Sequence, residues 1–305
     1  MNRISRRKFL KVAGLSALAL TAACRAEDLP PGAASATRAP AAGTQPASQL
    51  AAAPTEIQIT PVSEFYRQSY GSKPEVDPSD WRLTIDGLVE NPVTLSLDDI
   101  KALEPVQETR TLECIGNPVG GPLIGTAMWQ GVYLKTLLEG IKVKPSAIRA
   151  KFKAADDYST AVDLKWILQP NTLLIYEMNG EPLNRDHGFP LRILMPGLYG
   201  QKNPKWLKHI EFIDTEYQGY WERNGWSDVA EVRTNSIIQQ PAGLAGLSAG
   251  TAPVFGVAFA GKRRITTVEV QIDNGDWLPA NLVQADSSLV WTQWSFDWPA
   301  TAGKH

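Results

Sequence analysis

Thr111-Leu112-Glu113-Cys114-Ile115-Gly116-Asn117-Pro118-Val119-Gly120-Gly121 runs from a β-prone segment into a glycine-rich loop, and a thiol stands at the junction. Strand ends that open into loops are where functional groups are presented. The chain holds two cysteines, Cys24 and Cys114. Cys24 closes an N-terminal processing segment, where cleavage or lipidation takes it out of use, so Cys114 has no partner for an intramolecular disulfide. A lone thiol in an oxidising compartment is a liability unless it is buried, used as a nucleophile or committed to a metal. Burial is the default for such a residue alone; the loop that follows argues for presentation.

Upstream of that stretch, Trp81 to Gly87 alternates like a half-buried strand, and Asp86-Gly87 signals a turn into Val93-Thr94-Leu95. Ser96 should cap a short helix through Ile100 and Leu103, with Asp98 and Asp99 in its first turn. Downstream, Val132, Leu134, Leu137, Leu138 and Ile141 form a helical face. Thr172 to Met178, Leu191 to Met195 and Trp206 to Ile213 read as strands. Helices and strands mix without a strict βαβ rhythm, and no Gly-x-Gly-x-x-Gly follows a strand, so a dinucleotide-binding domain is unsupported. The expected class is α+β, over a body of residues 55–234.

From residue 235 to 305 the pattern changes to short β-rich runs: Val254 to Ala260, Ile265 to Ile272, an Asn274-Gly275 turn, then Leu289 to Trp298. A small β-sandwich follows, with Trp277, Trp291, Trp294 and Trp298 as core and rim. It has too few strands for a seven-stranded sandwich, so it is expected to be incomplete.

The N-terminus, residues 1–24, opens with Ser5-Arg6-Arg7-Lys8-Phe9-Leu10-Lys11 and an uncharged apolar run from Val12 to Ala23. That order is a twin-arginine export signal, and the run is too short to span a bilayer, which takes about 20 apolar residues. Leu20-Thr21-Ala22-Ala23-Cys24 also resembles a lipoprotein cleavage site, which leaves a lipid anchor at Cys24 and ordinary cleavage both open. Residues 25–54, rich in Ala, Pro, Gly, Ser and Thr, cannot repay the entropy of ordering and read as a linker. The expected location is the periplasm or the outer face of the cell membrane. Thirty basic against 32 acidic residues give a net charge of -2, so no field of one sign recruits nucleic acid.

The motif Thr111 to Asn117 resembles the cysteine motif of the sulfite-oxidase family of molybdopterin enzymes. A second block agrees in order and spacing: Tyr176-Glu177-Met178-Asn179-Gly180-Glu181-Pro182-Leu183, His187 to Arg192, Pro196-Gly197 and Lys205-Trp206 resemble that family's cofactor-binding segment. The resemblance runs from about Thr60 to the C-terminus, where the tail is similar to the family's immunoglobulin-like domain. It implies a sulfite-oxidase-like catalytic domain carrying Mo-molybdopterin, with Cys114 as the molybdenum ligand. It also implies that His187 and Arg192 contact the pterin or its phosphate, that Asn203, Pro204 and Lys205 line the same pocket, and that Asp157 is a further contact. Phe65, Tyr66 and Arg67 fall near the family's first cofactor-lining loop.

The chemistry of these side chains is compatible with such roles. A soft thiolate suits molybdenum that also carries dithiolene sulfurs, and a single protein ligand leaves positions open. Arg192 can grip a phosphate through its planar fork while Lys205 supplies a point charge. Seen singly, each is an ordinary flanking arginine, solvated lysine or satisfied loop histidine; together they favour an anion-bearing cofactor.

Two departures bear on the substrate. Animal and plant sulfite oxidases have basic residues where this chain has Pro118 and Val119, and they carry an active-site tyrosine where it has Trp226. Arg67 is the candidate to replace the missing charge. The implied reaction is a two-electron oxygen-atom transfer with a small molecule, sulfite or a sulfoxide type. A separate electron-transfer protein or membrane redox partner would complete the cycle. Two other readings stand beside it: a hydrolase in which His187 activates Cys114 as nucleophile, and a non-enzymatic, tethered binding lipoprotein. Three scattered histidines and one available thiol give no tetrahedral zinc set.

Overall fold

The computed structural model describes residues 50–241 and 246–305. The export signal, Cys24 and residues 25–49 of the linker lie outside them. Leu83–Gly87 (β1) and Val93–Leu95 (β2) form the expected hairpin, with Leu83 opposite Leu95. Ser96 caps the helix Leu97–Lys101 (α1) through a reciprocal capping box with Asp99. The helix stops before Leu103, which closes a last turn by donating to the Ile100 carbonyl.

Val106–Glu113 (β3) and Ile124–Tyr133 (β4) pair antiparallel across the cysteine loop, which sets Glu113 opposite Ile124. The helix Leu134–Ile141 (α2) begins directly after β4. Val132, expected on the helical face, lies in β4 and pairs with Leu174. Its apolar side chain serves the same core, so periodicity alone could not mark the boundary.

Arg149–Ala154 (β5), Ser159–Asp163 (β6), the helix Leu164–Ile167 (α3), Leu173–Met178 (β7), Glu181–Pro182 (β8), Arg192–Leu194 (β9), Leu207–Ile213 (β10) and the short helix Tyr220–Arg223 (α4) complete the body. One sheet runs β2-β1-β10-β5-β6; a second runs β3-β4-β7-β8, with β9 on β7. Their apolar faces bury a core that includes Leu83, Ile85, Ile100, Phe152, Ile193 and Phe212. β1 and β10 pair in parallel, so the sheet mixes directions, as α+β folds allow.

The tail supplies Asn235–Gln240 (β11), Gly250–Phe259 (β12), Glu269–Gln271 (β13), Trp277–Pro279 (β14), Asn281–Val283 (β15) and Thr292–Ala300 (β16). They make a four-stranded sheet, β11-β12-β16-β15, and a two-stranded β13-β14 ribbon. The strand expected over Ile265 to Ile272 shrinks to three residues. Trp291 and Trp294 are buried, whereas Trp277 on the ribbon is 60% exposed.

The tail and the cysteine strand are joined by hydrogen bonds. The Thr111 N–H donates to the Leu289 carbonyl and the Trp291 N–H to Thr111 Oγ1, both at 2.8 Å. Asn235 Nδ2 donates to Glu113 at 2.9 Å. All the described residues fall in one compact unit, and among them no helix is long and apolar enough to cross a membrane.

Candidate active site

A cavity of about 220 Å³ opens beside the end of β3, and Cys114 lines it. The Cys114 N–H still donates to Leu123, extending the β3–β4 ladder by one rung, before the Asn117 N–H closes a turn onto the Cys114 carbonyl. Asn117 pins this loop from within: its Nδ2 donates to Glu113 and its Oδ1 accepts from the Leu123 N–H. The Glu113 carboxyl is raised by burial, against the lowering effect of the Asn117 and Asn235 amides. Burial also pushes the Cys114 thiol up.

The same cavity is lined by cations. Arg192 is buried; its Nη1 and Nη2 donate to the His187 and Asn203 carbonyls, and its face lies on Trp129 at 5.3 Å. Its Nε has no partner among the described residues. Burial lowers its pKa to about 10. Lys205 Nζ donates to the Asp186 carbonyl and lies 4.3 Å from the Trp206 ring. Burial and the nearby Arg192 charge lower Lys205 to about 7. Desolvation costs both cations free energy, and among the described residues neither has a carboxylate in an ion pair to offset it. An anionic ligand would offset it.

His187 ends a 3-10 turn, Arg185–His187, capped by Asn184. Its Nε2 faces the Val62 carbonyl at 3.1 Å, so Nε2 carries the proton. Burial lowers its pKa to about 4, and the ring is neutral at physiological pH. Phe65 packs edge-on against it. Tyr66 stacks on Phe65, its phenol held protonated by burial. Asn203 lines the cavity, but its amide is committed to the backbone of Met195, Leu198 and Tyr199. It shapes the wall more than it offers a free side chain. Pro204 lines the same wall.

The cavity thus gathers Cys114, Phe65, Tyr66, His187, Arg192, Asn203, Pro204, Lys205 and Trp226 from six separate stretches of sequence. Two expected residues do not line it. Asp157 occupies a left-handed turn position, φ 63, with its side chain 80% exposed toward Lys153. Its neighbour Asp156 lines the cavity instead and accepts from the Tyr158 N–H. Arg67 turns outward to the Ser63 carbonyl and Asp186, while Gln68, Ser69 and Tyr70 line the cavity. Arg67 therefore does not replace the charge missing at Pro118 and Val119.

Sequence reasoning passed over Tyr158, Gln201 and Trp221, which also line the cavity. The Tyr158 hydroxyl donates to the Gln201 carbonyl. The aromatic run Tyr220-Trp221 beside Trp226 was the available signal.

A profile of the oxidoreductase molybdopterin binding domain matches residues 70–221. Sulfite oxidase of Arabidopsis thaliana is 31% identical over 277 residues, covering 74% of this chain and 70% of the plant protein. The chain belongs to the sulfite-oxidase-like family of molybdopterin oxidoreductases. It is an enzyme, an oxidoreductase, and Mo-molybdopterin is its cofactor. The mitochondrial sulfite oxidase of Drosophila melanogaster is 30% identical over 292 residues, and the chain spans only 51% of that relative's length. The crystal structure of the sulfane dehydrogenase SoxCD from Paracoccus pantotrophus superposes with a TM-score of 0.71 at 23% identity, over 86% of this chain and 74% of that one. The sulfite-oxidase-like fold, with its additional C-terminal sheet, is thereby shared.

The cavity fits the family's cofactor. The unpartnered Nε of buried Arg192 and the desolvated Lys205 ask for an anion, and the thiol shares their space. One result follows for cofactor-free protein. Its affinity for sulfate should fall about threefold to tenfold as pH rises through about 7, because Lys205 loses its proton there while sulfate does not titrate. Calorimetric titration at several pH values checks this, and Lys205→Arg should flatten the dependence.

Proposed function

We propose that this member of the family is an exported enzyme that transfers an oxygen atom between molybdenum and a small molecule, with Cys114 as the protein's ligand to the metal. The observation that carries the reading is the meeting of one thiol and two desolvated cations in a single cavity. When bound, Mo-molybdopterin supplies a two-electron redox couple and the oxygen-atom chemistry. Arg192 and Lys205 hold its anionic groups; the Asn117 and Glu113 bonds fix the loop that presents Cys114. Trp221, Trp226 and Tyr70 wall the substrate side, orienting it and excluding water.

That wall is aromatic, and neither Arg67 nor the 118–119 segment brings a cation to it, so we favour a neutral, sulfoxide-type substrate over sulfite. A separate electron-transfer protein or membrane redox partner would complete the redox cycle. Twin-arginine export suits a cofactor that must cross the membrane inside folded protein, and the N-terminal segment supports a periplasmic or outer-face location. The lipid anchor at Cys24 remains an alternative to cleavage.

The rival nucleophile mechanism lacks its activation. Burial raises the Cys114 thiol, and among the described residues no histidine hydrogen-bonds its sulfur. A nucleophilic cysteine needs a lowered pKa or an adjacent base.

Elemental and pterin analysis of protein matured through its native export route tests the proposal. Near-stoichiometric molybdenum and pterin are expected, with Cys114 resisting alkylation until the protein is unfolded. Protein that carries neither, or that loses activity to rapid alkylation in the native state, would overturn it.

A further inference from the structure

A second cavity, of about 350 Å³, lies beside the first and shares two wall residues with it, Ile115 and Trp226. Trp226 is the partition. Its ring edge packs over the cysteine loop, 3.4 Å from where a Cβ on Gly116 would stand, and the residue is 39% exposed. Trp226 and Ile115 thus face both spaces.

Glu231 and Arg233 line that second space. They flank buried Val232 on an extended segment whose Glu231 bridges Leu198, so both side chains leave on the side opposite Val232. Arg233 is held by its backbone: its N–H donates to the Tyr199 hydroxyl and its carbonyl accepts from Asn235. Among the described residues neither charged group enters an ion pair. A carboxylate and a guanidinium, both exposed, lining one cavity and in no ion pair among the described residues, complement a ligand that carries an ammonium and a carboxylate together.

We propose that the second cavity is a subsite for the zwitterionic, amino-acid-like end of the substrate, whose reacting atom lies across Trp226 in the Cys114 cavity. This rests on the small-molecule oxygen-transfer reading and specifies its substrate class.

The test is calorimetric titration of cofactor-loaded, full-length protein with S-methyl-L-cysteine, S-methyl-L-cysteine sulfoxide and dimethyl sulfoxide. Both zwitterions should bind about tenfold more tightly than dimethyl sulfoxide. Arg233→Gln and Glu231→Gln should each weaken them about threefold to fivefold, the upper end of what an exposed ion pair contributes, with no matching change for dimethyl sulfoxide. Equal affinity for all three probes, or zwitterion binding untouched by both substitutions, would overturn the subsite. S-methyl-L-cysteine has no sulfoxide oxygen, so its binding reports the subsite alone. Tight, substitution-sensitive binding without turnover of the sulfoxide would sink the sulfoxide reading and leave the subsite standing.

Discussion

Cys114→Ser should cost at least about a thousandfold in kcat/KM in a dye-coupled oxygen-transfer assay, the scale of losing an essential catalytic group. The substitution changes one atom. The backbone bonds that build the loop, from Cys114 to Leu123 and from Asn117 to Cys114, involve no sulfur and persist. Serine is nearly isosteric, so the unfolding midpoint should shift little. What changes is the donor: a hard hydroxyl that stays protonated at neutral pH replaces a soft thiolate. Arg192, Lys205 and the surrounding wall are untouched, so pterin should still be retained. Loss of activity with retained pterin and unchanged stability is the expected combination. Full activity in the serine variant would remove the ligand assignment.

Lys202→Met should be the most destabilising of the substitutions considered, costing about 3–5 kcal/mol in urea unfolding, because it strands a buried carboxylate. Lys202 and Glu222 are both buried, and their side chains meet at 2.6 Å. Lys202 Nζ also donates to Thr160 and the Ala161 carbonyl, and Glu222 accepts from Thr160 and Gln201. Burial alone would raise the Glu222 pKa; the Lys202 bond and charge outweigh it and hold the carboxyl below its usual range. The pair's stabilisation is therefore present above the unfolded-state pKa and fades as pH falls through the lower folded value. The variant should lose that acid dependence. Replacing both partners, Lys202→Met with Glu222→Leu, should recover much of the stability, since a matched apolar pair leaves no orphaned charge. The activity readout differs from the stability one. Gln201 and Trp221 line the cavity on either side of this pair, so in Lys202→Met KM should rise more than kcat falls.

The cysteine junction, the Ser96 cap and most strands were legible because each is written in contiguous residues. A strand's alternation, a cap's three-residue spacing and a thiol before a glycine loop need no distant partner to be read. The errors share a different origin. Asp157 and Asp156 are adjacent acids in one tight turn, and only the left-handed φ at Asp157 decides which points outward. Phe65, Tyr66 and Arg67 are consecutive, yet two face the cavity and the third turns away to Ser63 and Asp186. Resemblance locates a loop; it does not fix the direction of each side chain within it. Lys202 gave no signal at all, since a lysine in sequence looks solvated and its burial depends on a carboxylate twenty residues later. Trp277 was grouped with the packed tryptophans by type, and the ribbon that carries it leaves it in solvent.

The bonds from Leu289 and Trp291 to Thr111 impose an order on biogenesis. A ribosome releases residues 289–291 long after Cys114 has emerged, so a nascent chain can hold the thiol without the brace behind its strand. The strand that ends at Cys114 is therefore braced only after residues 289–291 have been made, so any ligand that needs this strand rigid is received by the folded chain and not by a nascent one.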